Sequence, residues 1–491
     1  MWTTNNDENV SEGNNNDESV LEGLQPHPNL KSIEIEGFRG TKFPSWTMRM
    51  EVFLDGRGWL KLDKLIDVFF SNCKNCEEIP MFGLLPLLKY LTLDGLTNAQ
   101  SIGPSFYGGQ ETRVMFPALE RLIIRNMPNL TEWAEAEVIP VAETQTCREQ
   151  VFPSLEVLII KNCQKLNTAP SHFPCLKKLE IDTMDSDLPL TKILSSSDLT
   201  SLEDLSINNI STLTCLPHLK GFQKYLRKLS IEYCDKLREL SDDLQSFQSL
   251  ESLRISSCES LQSISYQSGQ KGPPSLLDLV IGNCSELSCL QSEMIESIRC
   301  LEYLTVFGCD HLISFPVDLG NLPCISRLHI YICPELRSLP KGIGRLSNLT
   351  QLSIGRFSES IDFNSFEAAL DGIQQSKSLL QLNLYGLEHW DLFPYQLQHL
   401  TSLHKLALSD FGIEALPEWF RVLSSLERLC LYELKKLRHM PSKEAMQCLT
   451  KLEYLNVFQC PLLEEKYSEE RGPDSEWSKI SHIPHIVGVA P

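Results

Sequence analysis

Leu226-Arg-Lys-Leu229-Ser-Ile231-Glu-Tyr-Cys234 is followed by Leu250-Glu-Ser-Leu253-Arg-Ile255-Ser-Ser-Cys258, and the spelling then returns three more times. The next copies are Leu276-Leu-Asp-Leu279-Val-Ile281-Gly-Asn-Cys284, Leu301-Glu-Tyr-Leu304-Thr-Val306-Phe-Gly-Cys309 and Ile325-Ser-Arg-Leu328-His-Ile330-Tyr-Ile-Cys333. Their first positions, 226, 250, 276, 301 and 325, fix a period of 24 to 26 residues. Further units begin at Leu349, Leu379, Leu403, Leu426 and Leu452. Looser ones begin upstream at Leu30, Leu65, Leu88, Leu119, Leu155, Leu176 and Leu202, which makes 17 units.

Period and spelling match the leucine-rich repeat, whose units run about 20–29 residues. Within a unit, Leu-x-Ile reads as a short strand whose two apolar side chains share one face. Three positions on, the chain turns back beneath the strand. Cys73, Cys163, Cys234, Cys258, Cys284, Cys309, Cys333 and Cys460 occupy that column in eight units, and Phe, Leu, Met or Ile fills it in the others. One unit cannot bury its own apolar face, so stacked units form a continuous core. The predicted fold is an α/β repeat solenoid: a leucine-rich-repeat horseshoe with a parallel β-sheet on the concave face and irregular or short helical convex segments.

Composition agrees with a folded, non-fibrous protein. Of 491 residues, 42% are hydrophobic and 22% charged, and 44 Lys+Arg stand against 64 Asp+Glu for a net charge of −20. That balance argues against nucleic acid, because a phosphate-tracking surface needs excess cations. No run approaches the roughly 18 consecutive apolar residues of a membrane span. The opening Met1-Trp-Thr-Thr-Asn-Asn-Asp-Glu has neither basic nor apolar signal-peptide regions. An intracellular chain keeps its 17 Cys as thiols.

Three segments follow from the pattern. Residues 1–24, with six acidic and no basic side chains, read as a disordered tail. Residues 25–465 form the solenoid, and 466–491 a C-terminal cap and tail. Longer gaps interrupt the period at 30–65, 88–119, 119–155 and 349–379. The acidic insertion from Trp133 to Gln150 is expected to project as a loop.

Catalytic and metal chemistry find little support. Cys73-Lys-Asn-Cys76 lacks the second ligand pair a structural zinc site requires, and Cys73 already belongs to the apolar column. No phosphate loop, Gly-x-Ser-x-Gly elbow or His-Glu-x-x-His occurs. The expectation is no enzyme, no cofactor and no metal.

Further residues carry a family resemblance. Leu21-Glu-Gly-Leu-Gln-Pro-His-Pro-Asn-Leu-Lys31 with Phe43-Pro-Ser-Trp46 resembles plant nucleotide-binding leucine-rich-repeat disease-resistance proteins of the coiled-coil subclass. So do Cys73-Lys-Asn-Cys76-Glu-Glu-Ile-Pro80, Ser101-Ile-Gly-Pro-Ser-Phe-Tyr107 and Phe116-Pro-Ala-Leu119 with Met127-Pro-Asn-Leu-Thr-Glu-Trp133. Cys460-Pro-Leu-Leu-Glu-Glu465 through Trp477-Ser-Lys-Ile-Ser-His-Ile-Pro484 is similar to that family's terminal segment. The family's nucleotide-binding module has no counterpart in these residues, so the chain reads as a fragment or truncated paralogue. The resemblance implies a cytoplasmic or nucleocytoplasmic recognition module for defense. Its partner would be a pathogen effector, a guarded host protein or the nucleotide-binding switch module itself. A ubiquitin-ligase substrate receptor, or an inactive truncated product, is the alternative.

The residue after the second strand apolar position faces the concave side. Down the first ten units that column holds no aromatic. In the last seven it holds Phe307, Tyr331, Gly355, Tyr385, Ser409, Tyr432 and Phe458. Aromatics also suit strands intrinsically, but propensity alone should act on all units alike. Phe307, Tyr331, Tyr385, Tyr432 and Phe458 are therefore the expected partner-binding anchors, with Arg254, His329 and Arg356 supplying polar specificity at the rim.

Overall fold

Each Leu-x-Ile core becomes a strand because its apolar side chains alternate with polar ones at the two-residue period of a pleated chain. The computed structural model describes residues 2–3, 13–54, 58–108, 114–136, 150–197, 199–217, 221–240, 246–264, 271–315, 317–469 and 475–488. Two compact units are present: Met1–Leu237 with Ser246–Leu250, and Arg238–Gln245 with Glu251–Pro491.

In the first unit the repeat strands are β1 (Ser32–Glu36), β2 (Asp67–Ser71), β3 (Tyr90–Asp94), β4 (Arg121–Arg125), β5 (Val157–Lys161), β6 (Lys178–Met184), β7 (Asp204–Ile210) and β8 (Lys228–Glu232). They pair in parallel, and equivalent repeat positions lie opposite one another, as in Leu91↔Leu122 and Leu122↔Leu158. A line of phenylalanines fills the interior behind the sheet. Phe106, Phe116, Phe152 and Phe173 stand in sequence with ring centroids 4.9, 4.9 and 5.6 Å apart.

The period gaps hold added structure. The first contains helix Ser45–Arg49 and an antiparallel hairpin, Glu51–Leu54 with Gly58–Lys61, which carries exposed Phe53 and Trp59. Residues 137–149 of the acidic insertion lie outside the described residues.

The tail expectation is corrected in part. Residues 4–12 lie outside the described residues, but Gly13–Gly23 is a helix, and Trp2–Thr3 pairs in parallel with β1. The helix is held because its acids accept from backbone amides of the next loop: Glu18 from Thr41 and Lys42, and Glu22 from Ser45. Leu21 is buried, and its carbonyl accepts from the Trp46 indole at 3.0 Å. The acidic composition that suggested disorder is in use as hydrogen-bond acceptors.

The second unit continues with β9 (Ser252–Ser256), β10 (Asp278–Gly282), β11 (Tyr303–Phe307), β12 (Arg327–Tyr331), β13 (Gln351–Gly355), β14 (Gln381–Tyr385), β15 (Lys405–Ser409), β16 (Arg428–Tyr432) and β17 (Tyr454–Phe458). A short β18 (His485–Val487) adds to β17. Register is again unshifted, with Leu304↔Leu328 and Leu328↔Leu352. On the far side run short helical turns, among them Ile343–Arg345, Ile373–Gln375 and Tyr395–His399. The architecture is a leucine-rich-repeat solenoid in each unit.

Two columns control the turn off each strand. The residue just past the strand is left-handed, with φ between 51° and 59° at Asn72, Asn126, Asn162, Asn283, Ile332, Arg356, Asp410 and Glu433. Its amide still donates to the neighbouring strand, for instance Asn283 to the Phe307 carbonyl at 2.8 Å and Arg356 to the Tyr385 carbonyl at 3.0 Å. The chain then reverses and drops the next side chain into the core. All eight column thiols are buried there. Each Sγ donates back to the last strand carbonyl, as Cys284 does to Gly282 at 3.4 Å and Cys309 to Phe307 at 3.5 Å.

Candidate functional site

Zero register turns a sequence column into a physical row, so the expected anchors can be located. Phe307, Tyr331 and Tyr385 end β11, β12 and β14 on the open sheet face. Phe307 stacks on Tyr331 at 5.7 Å and 13°, and Tyr331 on Tyr385 at 5.5 Å and 14°. The second contact spans β13, where the row holds Gly355. A Cβ there would lie 1.9 Å from the Tyr385 carbonyl oxygen, and φ is +127°, so only glycine lets the two rings close over it. Tyr432 and Phe458 form a second stack at 5.9 Å and 7°, separated from the first by Ser409. Stacking leaves four rings half-buried, while Phe458 is 41% exposed. Burial also raises the phenol pKa of Tyr331 and Tyr385 above the ordinary value, so both stay neutral donors.

The three polar residues separate. Arg356 does stand at the rim, in the left-handed position, with Nε 3.4 Å from Asp410 and a terminal nitrogen 3.5 Å from Glu433. Burial and the facing Glu433 raise the Asp410 pKa, against the pull of Arg356. His329 is not at the rim. It sits in the floor of the sheet, its Nδ1 2.7 Å from Ser353 Oγ, which also accepts from Asn383 at 2.9 Å. Burial, and then Arg327, lower its pKa, which keeps the ring neutral at neutral pH. Arg254 lies on β9, outside the ring row, paired with Asp278 at 2.7 Å.

Beside the row one turn departs from the others. After β14, Gly386 is not left-handed and Leu387 is only half-buried, unlike its counterparts Phe357, Phe411 and Leu434. A Cβ at Gly386 would come within 2.7 Å of the Phe411 ring. The change leaves a cleft of about 550 Å³ lined by Ile332, Pro334, Arg356, Phe357, Glu388 and Asp410, among others. Apolar walls with an arginine and carboxylates at one edge suit a side chain of a partner. Sequence reasoning gave no sign of the cleft, because its cause is an altered turn between ordinary-looking residues.

Cys73 and Cys76 are buried, and their thiols donate to the carbonyls of Ser71 and Gly40. Burial raises the Cys73 pKa to about 12, the reverse of what a metal-binding thiolate requires. Among the described residues no group of three or more His, Cys, Asp or Glu converges, and no helix is long and apolar enough to cross a membrane.

Residues 1–96 match the family model described as R13L1/DRL21 leucine-rich repeats. The chain is 30% identical over 282 residues to the disease resistance RPP13-like protein 1 of Arabidopsis thaliana, covering 55% of this chain and 24% of that one. It is 30% identical over 231 residues to disease resistance protein RGA2 of Solanum bulbocastanum, covering 46% and 19%. The chain thus spans a quarter or less of the length of these relatives. Among solved structures, YopM from Yersinia enterocolitica aligns with TM-score 0.49 and 18% identity, over 88% of this chain and 83% of that one. The units of this chain are leucine-rich repeats, and they are similar to those of plant disease-resistance proteins.

Proposed function

We propose that the chain is a non-catalytic protein-recognition module of a plant intracellular immune receptor, binding its partner on the face of β11–β17. The partner is a pathogen effector, a guarded host protein or a nucleotide-binding switch module, met in the cytoplasm. The observation that supports this reading is the ring row: five aromatics on the open face of one unit of a resistance-type repeat protein. Stacked rings held by a rigid sheet lose little entropy on binding and make good anchors.

The test is Tyr331→Ala, Tyr385→Ala and Tyr432→Ala combined, expressed in leaf tissue with a defence response as readout. Loss of the chain's effect on that response is expected. Each broken ring stack costs about 0.5–1.5 kcal/mol, so the melting temperature should fall by a few degrees while the fold persists. An unchanged response, or sensitivity only to substitutions on β1–β8, sinks the reading.

A further inference from the structure

The strands that carry the ring row differ from most of those of the first unit in a second respect. Their sequences are YLTVF, RLHIY, QLSIG, QLNLY, KLALS, RLCLY and YLNVF, and no Asp or Glu occurs in any of them. In the first unit six of the eight strands, SIEIE, DVFFS, YLTLD, KLEIDTM, DLSINNI and KLSIE, carry at least one carboxylate, and only the adjacent pair RLIIR and VLIIK carries none. In a chain of net charge −20, seven successive acid-free strands make an extended face without carboxylates.

What occupies the face is ordered across the strands. Arg327, Lys405 and Arg428 all take the first outward position of their strands, and the rings take the last. Along a strand the two rows are therefore four residues apart, about 13 Å. Arg327 lies over the Tyr303 ring and Arg428 over the Tyr454 ring, each at 4.6 Å. Among the described residues none of the three cations forms an ion pair with a carboxylate, although the other arginines named above, Arg254 and Arg356, do. Acids border the face instead of standing on it. Glu302, Glu427 and Glu453 each precede a strand, with Glu427 3.8 Å from His404, while Asp410 and Glu433 share Arg356 on the opposite rim. Between the rows the floor is uncharged, from Thr305 and His329 to Asn456.

A surface with exposed cations along one edge, rings along the other and no carboxylate between them is complementary to a ligand with the reverse order. We propose that β11–β17 take an acidic amphipathic segment of a partner protein, laid across the strands, with carboxylates over Arg327, Lys405 and Arg428 and apolar side chains against the ring row. The inference rests on the reading that this face is where the partner binds, and it supplies the partner's chemistry. Arg327 and Arg428 are held over ring faces, which positions them without neutralising them, and a carboxylate can complete each site.

The probe is a fluorescein-labelled amphipathic peptide of glutamate and leucine, compared by anisotropy with its glutamine counterpart on the full chain. The glutamate peptide should bind more tightly, and the preference should shrink as salt rises. Arg327→Gln, Lys405→Gln and Arg428→Gln together should weaken the glutamate peptide by about tenfold and spare the glutamine peptide. Lys405→Gln alone, which disturbs no ring, should give a smaller loss in the same direction and serves if the triple variant is poorly folded. Equal affinity for the two peptides, no binding of the glutamate peptide, or an unaffected triple variant overturns the proposal. So does tighter binding of a single-stranded RNA oligonucleotide that the same variant abolishes. Should these fail while the tyrosine variant still loses its leaf response, the acidic chemistry is wrong and the binding face stands. An unchanged leaf response in the tyrosine variant would instead remove the face itself.

Discussion

At the scale of single residues, the thiol column shows how a side chain can be both core and hydrogen-bond donor. Cys284, Cys333 and Cys460 have thiol pKa values raised to about 11, and Cys163 to about 12, by burial. These thiols stay protonated and unreactive at neutral pH. Native thiol labelling should therefore reach Cys175, Cys215, Cys289, Cys300, Cys324 and Cys448, which are exposed, and spare the eight column thiols until unfolding. Fast reaction of most of the eight would contradict their placement. Cys309→Ser should lower stability by about 1–3 kcal/mol, read as a fall in melting temperature. The loss lies at the low end of that range where the hydroxyl inherits the bond to the Phe307 carbonyl. The column itself was readable from sequence, since its other members are Phe, Leu, Met and Ile. The bond to the strand carbonyl was not, because it depends on a left-handed residue that the spelling does not mark.

At the scale of elements, that left-handed turn is filled by residues of very different cost. Gly37, Asn72, Gly95, Asn126, Asn162, Asn209, Asn283 and Gly308 are residues that accept positive φ cheaply. Three of these side chains also bond to the turn before: Asn126 to Asp94 and Asn162 to Asn126, each at 2.7 Å, and Asn209 to Thr183 at 3.3 Å. The same position holds Thr183, Tyr233 and Ser257 in earlier repeats and, from β12 onward, Ile332, Arg356, Asp410, Glu433 and Gln459, with Gly386 after β14 not left-handed. A branched side chain such as Ile332 bears about 1–2 kcal/mol of strain there. Ile332→Asn should therefore raise stability by roughly 0.5–1 kcal/mol in a denaturant titration, and a lower midpoint would contradict the strain. Ile332 also lines the cleft, so the same variant tests whether strain is kept for binding. Strand positions and the ring row were legible because a two-residue alternation and a 24-residue period survive in the spelling. His329 was misplaced for a related reason. Alternation puts it on the open face, but only the bond to Ser353 shows that it is floor and not rim.

At the scale of the whole molecule, the last elements close the second unit's sheet edge. Leu463, Tyr467, Ile480 and Ile483 are buried there, and Glu476 is buried with them. Its carboxylate accepts from Met440 N at 2.8 Å, His439 Nδ1 at 2.9 Å and Lys479 Nζ at 2.8 Å. Burial opposes ionisation, yet these donors together hold the pKa below its ordinary 4.5. A depressed pKa stabilises the fold above the unfolded value and loses that contribution as pH falls through the folded one. Glu476→Gln should thus cost about 2 kcal/mol at pH 7, and the gap to wild type should close below pH 4.5 in paired melting curves. A gap independent of pH would exclude the carboxylate. Deleting residues 461–491 should leave aggregated protein, and a soluble monomer with an unchanged melting temperature would rule out a capping role. The unshifted register carries a consequence of another sort, for how such a chain can change over generations. Because the repeat strands within a unit face their neighbours position for position, loss or duplication of one full period restores the same pairing across the join. Excision of residues 301–324 should give a folded protein with one strand fewer, whereas removing half that length should not fold. Gain and loss of whole periods is then a route by which the ring row can be lengthened, shortened or re-spaced without rebuilding the core.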